Sequence, residues 1–213
     1  MIKKLQALKA KKGFTLVELV VVIAIIGVLA AILVPTMIGV VQDSRVTSSN
    51  TTASQIKTQA TTWLTKMDAA KKTLKGPVDG SPFTVSVTVG ASGATDGNGN
   101  PDWFPTGYDD DGTSFLPGAG TAAAWDGDDV NYNFAAFMAD ALRDFKAGSV
   151  QLTIQNGGVI GVAVVEGDTA FTGPWPGETN WTSGEFDFGG SKAGVLADST
   201  IMGTSPALAM GTT

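Results

Sequence analysis

The chain has 213 residues, 43% of them hydrophobic, with 27 glycines and 9 prolines, which indicates a globular protein with a loop-rich part. It contains no histidine and no cysteine, and this excludes the commonest general base, thiolate nucleophiles, His or Cys metal sites and disulfides. The formal net charge of -6 is unevenly placed, because the residues from Gly76 onward carry 17 acids against three basic groups. Such an acidic region argues against nucleic-acid binding, which needs the opposite sign.

An apolar segment follows the first 13 residues, which carry five lysines. Residues 14–34 correspond to about 31 Å of helix, enough to cross a hydrocarbon core of about 30 Å. The lysines precede this segment, so we expect the N-terminus in the cytoplasm and the C-terminal part outside. A cleaved secretory signal has its small residue after the apolar region, whereas Gly13 comes before it. Two interpretations stay open: a plain signal anchor, or cleavage on the cytoplasmic side that makes the apolar helix the new N-terminus.

Glu18 lies near the start of this apolar segment. An acid at the centre of a membrane helix costs roughly 2.5–3.5 kcal/mol, but the cost is smaller near a helix N-terminus, which favours acids. The alternative is a role in assembly. If the chain begins at Phe14, the free amino group of one subunit is protonated at neutral pH and can pair with the Glu18 carboxylate of its neighbour. Such a buried pair specifies register more than it adds stability.

Two helix-weakening residues interrupt the segment. Pro35 removes one helical hydrogen bond at a cost of about 3 kcal/mol, so it either ends the membrane helix or kinks it. Gly27 costs roughly 1 kcal/mol relative to alanine, unless it marks a close helix–helix contact. From Ile56 the apolar residues recur every three or four positions, and Gly76-Pro77 is a strong breaker. The pattern predicts one long, kinked helix over residues 14–75, with an apolar stripe on its second half.

Alternating and helical patterns follow in the acidic region. We predict strands at Phe83–Val89, Val150–Ile154 and Val159–Val165, a hairpin turn at Asn156-Gly157-Gly158, a helix from about Asn133 to Ala147, and an edge strand at Glu185–Phe188. Antiparallel strands packed on the stripe of the long helix make an α+β head.

A glycine- and aspartate-rich loop places oxygen ligands at alternate positions, which favours calcium. The candidate ligands are Asp96, Asn98, Asn100 and Asp102. The loop departs from the EF-hand pattern, because Ala94 stands where a first Asp is expected and no Glu closes it. The alternative is that these residues make surface turns.

Five tryptophans suggest glycan adhesion as a minor possibility, although most are expected to anchor the core or loops. Trp63 falls on the helix stripe. Asn50-Thr51-Thr52 and Asn180-Trp181-Thr182 match the N-glycosylation pattern, a weak signal here. Carboxylates are plentiful, but with no His, Cys, phosphate loop or nucleophile elbow they define no active site, so we expect no enzyme.

The stretch from Lys11 to Leu19, KKGFTLVEL, resembles the prepilin processing motif of type IV pilins and type II secretion pseudopilins. The resemblance covers roughly the first quarter of the chain. It implies cleavage after Gly13 by a membrane prepilin peptidase and N-methylation of Phe14. Gly27 and Pro35 fall where type IV pilins often carry helix-weakening residues. We therefore divide the chain into a basic leader (1–13), a membrane and filament-core helix (14–35), an amphipathic helix half (36–75) and an acidic head (76–213).

The resemblance implies a structural subunit, held in the cytoplasmic membrane and then polymerised with other pilin subunits into an extracellular pilus. It also implies an assembly ATPase and a membrane platform protein as partners. Two alternatives stay open. One is a pseudopilin of a type II secretion or DNA-uptake system, and the other is an uncleaved, membrane-anchored extracellular binding domain.

Overall fold

A computed structural model describes residues 14–69, 82–90, 103–106, 134–167 and 171–211. The chain divides after Ser44 into two compact units. The first unit is helical in its described part, and the second holds the head together with the rest of the long helix. The four-part division of the chain made from the sequence stays a prediction.

Three helices and seven strands make up the described residues. The helices are α1 (Leu16–Ala69), α2 (Phe134–Ala141) and α3 (Glu178–Ser183). The strands are β1 (Phe83–Val89), β2 (Trp103–Thr106), β3 (Gly148–Gln155), β4 (Gly158–Glu166), β5 (Glu185–Phe186), β6 (Met202–Ser205) and β7 (Ala209–Met210). Five strands form an antiparallel sheet in the order β2-β1-β3-β4-β6, and β5 pairs with β7 in parallel. The α+β fold class is therefore confirmed.

The hairpin between β3 and β4 turns at Asn156 and Gly157, where φ is 51° and 75°. Positive φ at both central residues is what a two-residue hairpin turn of the favoured hand requires, and Asn-Gly accepts it at little cost. The predicted turn also included Gly158, which is instead the first residue of β4. The strands predicted on either side are confirmed and slightly longer.

The part of α1 that belongs to the second unit, residues 45–69, packs on one face of the sheet, and we call it the head half of α1. Its stripe is fully or nearly fully buried: Ala53, Ile56, Ala60, Trp63 and Leu64. These side chains share a core with the apolar residues of β1, β3 and α2, and the Trp63 ring meets the Phe134 ring edge-on at 5.2 Å between centroids. The predicted stripe and the place of Trp63 in it are confirmed.

A second layer covers the opposite face of the sheet, which the sequence did not predict. Alternation in β3 suggested one polar, solvent-facing side, yet Ser149, Gln151 and Thr153 are buried. The C-terminal segment supplies the cover: Phe171 N–H donates to Ser149 Oγ at 2.8 Å, and Trp181 Nε1–H donates to Thr153 Oγ1 at 2.8 Å. The strand is therefore buried on both faces, and two of its polar side chains are satisfied by residues far along the chain.

Other boundaries also differ from the sequence prediction. Helix α2 ends at Ala141 rather than near Ala147, because the chain turns before entering β3, with a tight hydrogen bond from Phe145 N–H to the Leu142 carbonyl (3.1 Å). Leu142 and Phe145 still reach the core. The predicted edge strand of four residues is only the two-residue β5, in the separate small sheet. The predicted end of α1 beyond Ala69 lies outside the described residues.

Polar contacts also tie the head half of α1 to the sheet. Thr204 N–H of the edge strand β6 donates to Asn50 Oδ1 at 2.8 Å, and Lys57 Nζ donates to the Ile160 carbonyl at 2.9 Å. Partial burial lowers the pKa of the Lys57 ammonium. A β-carbon at Gly203 would overlap the backbone carbonyl of Ser49, so the helix and β6 lie in backbone contact. The helix therefore covers an edge that would otherwise be open to pairing with another chain.

Candidate assembly segment

The first turn of α1 is closed by a reciprocal pair of side chains, Thr15 and Glu18. Thr15 N–H and its hydroxyl donate to Glu18 Oε2 at 2.9 and 2.8 Å, and Glu18 N–H donates to Thr15 Oγ1 at 3.2 Å. This is a capping box, in which the N-cap threonine and the acid three residues later satisfy each other's free backbone N–H groups. The T-x-x-E spacing encodes it locally, without help from the rest of the fold.

The capping box uses only one of the two carboxylate oxygens of Glu18. Both bonds are accepted by Oε2, and Oε1 accepts no hydrogen bond from the described residues. Phe14, the residue before Thr15, is 86% exposed. A donor from another molecule therefore has an acceptor oxygen available beside the first helical turn.

The helix that follows is apolar on every side. From Leu16 to Val41 every large apolar side chain is 48–77% exposed in the isolated chain. Among the described residues, one helix is long and apolar enough to cross a membrane, and it lies near the N-terminus. Such a surface needs lipid or other protein to cover it.

Gly27 and Pro35 both lie inside α1. The helix continues through Pro35, so of the two interpretations of this proline the one in which it ends the membrane helix is wrong. Thr36 Oγ1 donates to the Leu33 carbonyl at 2.9 Å, which keeps this hydroxyl satisfied within the apolar segment. A β-carbon at Gly27 would meet nothing within 4 Å, so within one chain the glycine has no packing role.

Two family models match separate parts of the chain, the apolar N-terminal segment and the residues after it. Residues 8–34 match the prokaryotic N-terminal methylation motif, and residues 46–209 match a domain of unknown function, DUF5021. A fimbrial protein of Pseudomonas aeruginosa is 47% identical over 53 residues, which are 25% of this chain and 34% of that protein. A fimbrial protein of Moraxella nonliquefaciens is 46% identical over 55 residues, 26% of this chain and 36% of that protein.

The chain belongs to the DUF5021 family, whose model covers residues 46–209, and its N-terminal segment is similar to that of type IV pilins. It spans about a third of the length of the curated relatives that it matches. No solved structure matches it. The pilin resemblance noted from the sequence is thus confirmed, on the N-terminal segment where the motif lies.

Several predicted site residues fall outside the described residues. Gly13 and the leader lysines are among them, and so are all four candidate calcium ligands, Asp96, Asn98, Asn100 and Asp102. Within the part of the chain that the structure describes, no group of three or more acidic side chains is placed to hold a metal ion. Cleavage after Gly13 and calcium binding stay predictions.

Both asparagines of the N-glycosylation pattern make hydrogen bonds within the head. Asn50 Oδ1 holds the β6 backbone. Asn180 Oδ1 accepts from Gly177 N–H at 2.8 Å, and Asn180 Nδ2 donates to the Glu185 carbonyl at 2.9 Å. A glycan on Asn180 Nδ2 would displace its hydrogen bond to the Glu185 carbonyl, whereas the Asn50 contact uses the amide oxygen. The two pattern matches stay untested.

The sequence analysis missed Thr15. Its signal was present, because a threonine three residues before a glutamate, just ahead of an apolar run, is typical of a helix start. Asn50 carried no such signal, since its partner Thr204 is 154 residues away.

Proposed function

We propose that the chain is a precursor that is cleaved after Gly13, N-methylated at Phe14 and polymerised through its N-terminal helix into a type IV pilus-like surface filament. One observation carries this proposal. The apolar helix begins directly after the processing motif, and from Leu16 to Val41 its large side chains have no cover in the isolated chain. The role is structural rather than enzymatic.

Before assembly, residues 14–34 hold the subunit in the cytoplasmic membrane, with the leader lysines in the cytoplasm and the head outside. After cleavage the same helices pack together in the filament interior. Lipid tails are as apolar as the helices, so close van der Waals packing and specific polar contacts must drive the exchange of lipid for protein. Gly27 gives one place where such helices approach closely.

Glu18 supplies the specific polar contact in this proposal. The amino group of Phe14 on one subunit donates to the free Glu18 Oε1 of its neighbour, while Oε2 keeps the capping box closed. In an apolar bundle an unpaired charge is costly, so only the register that brings amine and carboxylate together is favoured. Pro35 contributes by weakening the helix locally, so that it adapts when subunits pack.

The machinery belongs to the same proposal. A membrane prepilin peptidase performs the cleavage and methylation, and an assembly ATPase with a membrane platform protein extrudes the filament. The filament then serves adhesion, motility or a related surface role.

The test is the intact mass of proteins sheared from the cell surface, measured beside the membrane fraction. A sheared species that starts at N-methylated Phe14 supports the proposal. The same processed species found only in membranes indicates a pseudopilin that makes short periplasmic fibres. An unprocessed chain in membranes indicates an anchored binding domain and contradicts the proposal.

A processing control uses the small residue at the cleavage site. In a Gly13→Leu variant the bulky side chain should keep the leader attached, and the sheared species should disappear while the full-length chain accumulates in membranes. Normal processing of this variant would show that cleavage occurs elsewhere.

A further inference from the structure

The second layer covers only part of the sheet face that lies opposite α1. On β3 the side chains of this face, Ser149, Gln151 and Thr153, are buried beneath it. Directly opposite them on β1 lie three hydroxyl side chains that stay half-buried or exposed: Thr88, Ser86 and Thr84. The cover therefore ends between β3 and β1, and we call this line the border of the second layer.

Two aromatic side chains of the second layer lie near the border. Phe171 N–H donates to Ser149 Oγ at 2.8 Å, so Phe171 is held over β3. Its ring meets the Trp175 ring edge-on, with 4.9 Å between the ring centroids. Both side chains pack against the apolar cluster of the second layer and are only partly buried. They therefore present aromatic surface from fixed positions.

The amide of Gln151 is buried at the border without a partner. Its neighbours on this face, Ser149 and Thr153, each accept a hydrogen bond from the second layer. Oε1 of Gln151 is buried and has no hydrogen-bond partner among the described residues, although the residue as a whole is 9% exposed. One other described side chain has such an atom, Ser49 Oγ, which is enclosed where α1 and β6 meet.

Stability does not explain a glutamine at this position. A buried polar atom without a partner has lost its hydrogen bonds to water, and this destabilises the folded state. Methionine is similar in length and would fill the same place without an unpaired amide. Departures of this kind from good packing are expected at functional sites.

The groups at the border suit a neutral ligand with one apolar and one polar side. β1, β3 and residues 171–177 carry no charge, although the head as a whole is acidic. Ligand sites typically combine aromatic surface with a few polar groups that fix the orientation of the ligand. A sugar ring has this character, because its C–H groups form an apolar face and its hydroxyl groups lie around its edge.

We propose that the border of the second layer binds neutral carbohydrate. Trp175 packs against the apolar face of a sugar ring, while Gln151 and the β1 hydroxyl groups form hydrogen bonds with the hydroxyl groups of the sugar. Gln151 changes rotamer on binding, because Oε1 is buried in the free chain. This inference goes beyond the proposed function, since binding by the head needs neither processing nor polymerisation.

The test is retention of the detergent-dispersed full chain on columns that carry lactose, maltose or cellobiose. Sialyllactose and bare resin serve as comparison columns. We expect delayed elution from at least one neutral column, abolished by the same free disaccharide. The anionic sialyllactose should retain the chain less, because the head is acidic.

Two substitutions locate the site. Trp175→Ala should reduce retention at least tenfold, because it removes the aromatic surface. Gln151→Met should also reduce retention at least tenfold while the Tm stays equal to that of the parent chain or rises, a combination that a purely structural glutamine would not give. The matched control is Met210→Ala, which trims another partly buried side chain of the same apolar cluster and should leave retention unchanged.

The possible results separate this inference from the proposed function. Absence of retention on every neutral column would overturn it, as would stronger retention on sialyllactose. Retention that survives both Trp175→Ala and Gln151→Met would show that the sugar binds elsewhere, and loss in Met210→Ala as well would assign the effect to the fold. Neither outcome is compatible with this site. None of these results depends on cleavage or on filaments, so the intact mass of sheared protein decides the proposed function independently.

Discussion

At the scale of single residues, the presence of an acid at position 18 has two explanations, helix capping and pairing with a neighbouring subunit. The capping box uses Glu18 Oε2 to close the first helical turn through Thr15, which explains an acid at this position in an isolated chain. In the proposed filament, pairing with a neighbour's amino group would explain it. Helix capping needs a side-chain acceptor, whereas pairing needs a negative charge. A substitution that keeps the acceptor and removes the charge therefore separates the two explanations.

Glu18→Gln keeps the acceptor but removes the charge, because glutamine also serves in capping boxes. If pairing drives assembly, Glu18→Gln and Glu18→Ala are both processed normally, and both give at least tenfold fewer sheared filaments. The measurement is intact mass for processing and sheared protein yield for assembly. Normal filament yield from Glu18→Gln, with loss only in Glu18→Ala, would assign the residue to helix capping alone.

At the scale of elements, α1 and the edge strand β6 lie in close backbone contact. Gly203 lets the Ser49 backbone approach β6, and Asn50 satisfies an N–H of that strand. An edge strand with free backbone groups invites pairing with other chains. The helix thus secures the fold and closes one edge of the sheet.

Gly203→Ala tests this contact. Its β-carbon would overlap the Ser49 backbone, which has no flexible end to move aside, so we expect a destabilisation of about 2 kcal/mol or more and a Tm lower by about 5 °C or more. Thermal unfolding of the detergent-dispersed subunit measures it. Gly158→Ala in β4 is the control, since its nearest neighbour would be the Gln155 carbonyl at 3.7 Å. Equal Tm values for both variants would contradict the close approach.

A further prediction at this scale is calcium binding by Asp96, Asn98, Asn100 and Asp102. If this loop binds calcium, EDTA lowers the Tm of the head, because a ligand bound only by the folded state stabilises it. Restoring calcium reverses the shift, and Asp96→Ala abolishes it. No shift with EDTA in the parent chain would remove the calcium prediction.

At the scale of the whole molecule, charge and hydrophobicity are separated along the chain. The proposed cleavage after Gly13 would remove five lysines and change the formal net charge from -6 to -11. The residues from Gly76 onward carry the acids, while residues 19–42 carry no charge. In the proposed filament, packing of the charge-free helices would therefore have to overcome repulsion between heads.

Filaments should respond to salt accordingly. The Debye length is about 30 Å at 0.01 M ionic strength and about 3 Å at 1 M, so repulsion between filaments is strong at low salt and screened at high salt. Sheared filaments should stay dispersed at low salt and bundle laterally at high salt, as measured by light scattering and negative-stain microscopy. An equal osmolarity of sucrose is the control. Identical scattering at both salt concentrations would contradict head repulsion.

Local features of this chain were open to prediction. The membrane-length segment, the stripe that begins at Ile56, the Asn156-Gly157 turn and the T-x-x-E start of α1 depend only on the spacing of residues within a few turns or strands. Such spacings fix hydrogen-bond reach and helix faces without reference to distant parts of the chain. The pilin motif belongs to this class, which is why one quarter of the sequence was enough to show the resemblance to pilins.

Long-range pairing was decided by the tertiary structure alone. The alternating pattern of β3 does not show that Trp181, 28 residues after Thr153, covers that threonine, and nothing near Asn50 shows that its amide oxygen binds Thr204. An alternating pattern records which side chains share a face, but not whether a later segment of chain folds over that face. For the same reason the sequence alone located the apolar helix, while the burial of its head half, and hence which of its faces stays exposed, came only from the packing of the sheet.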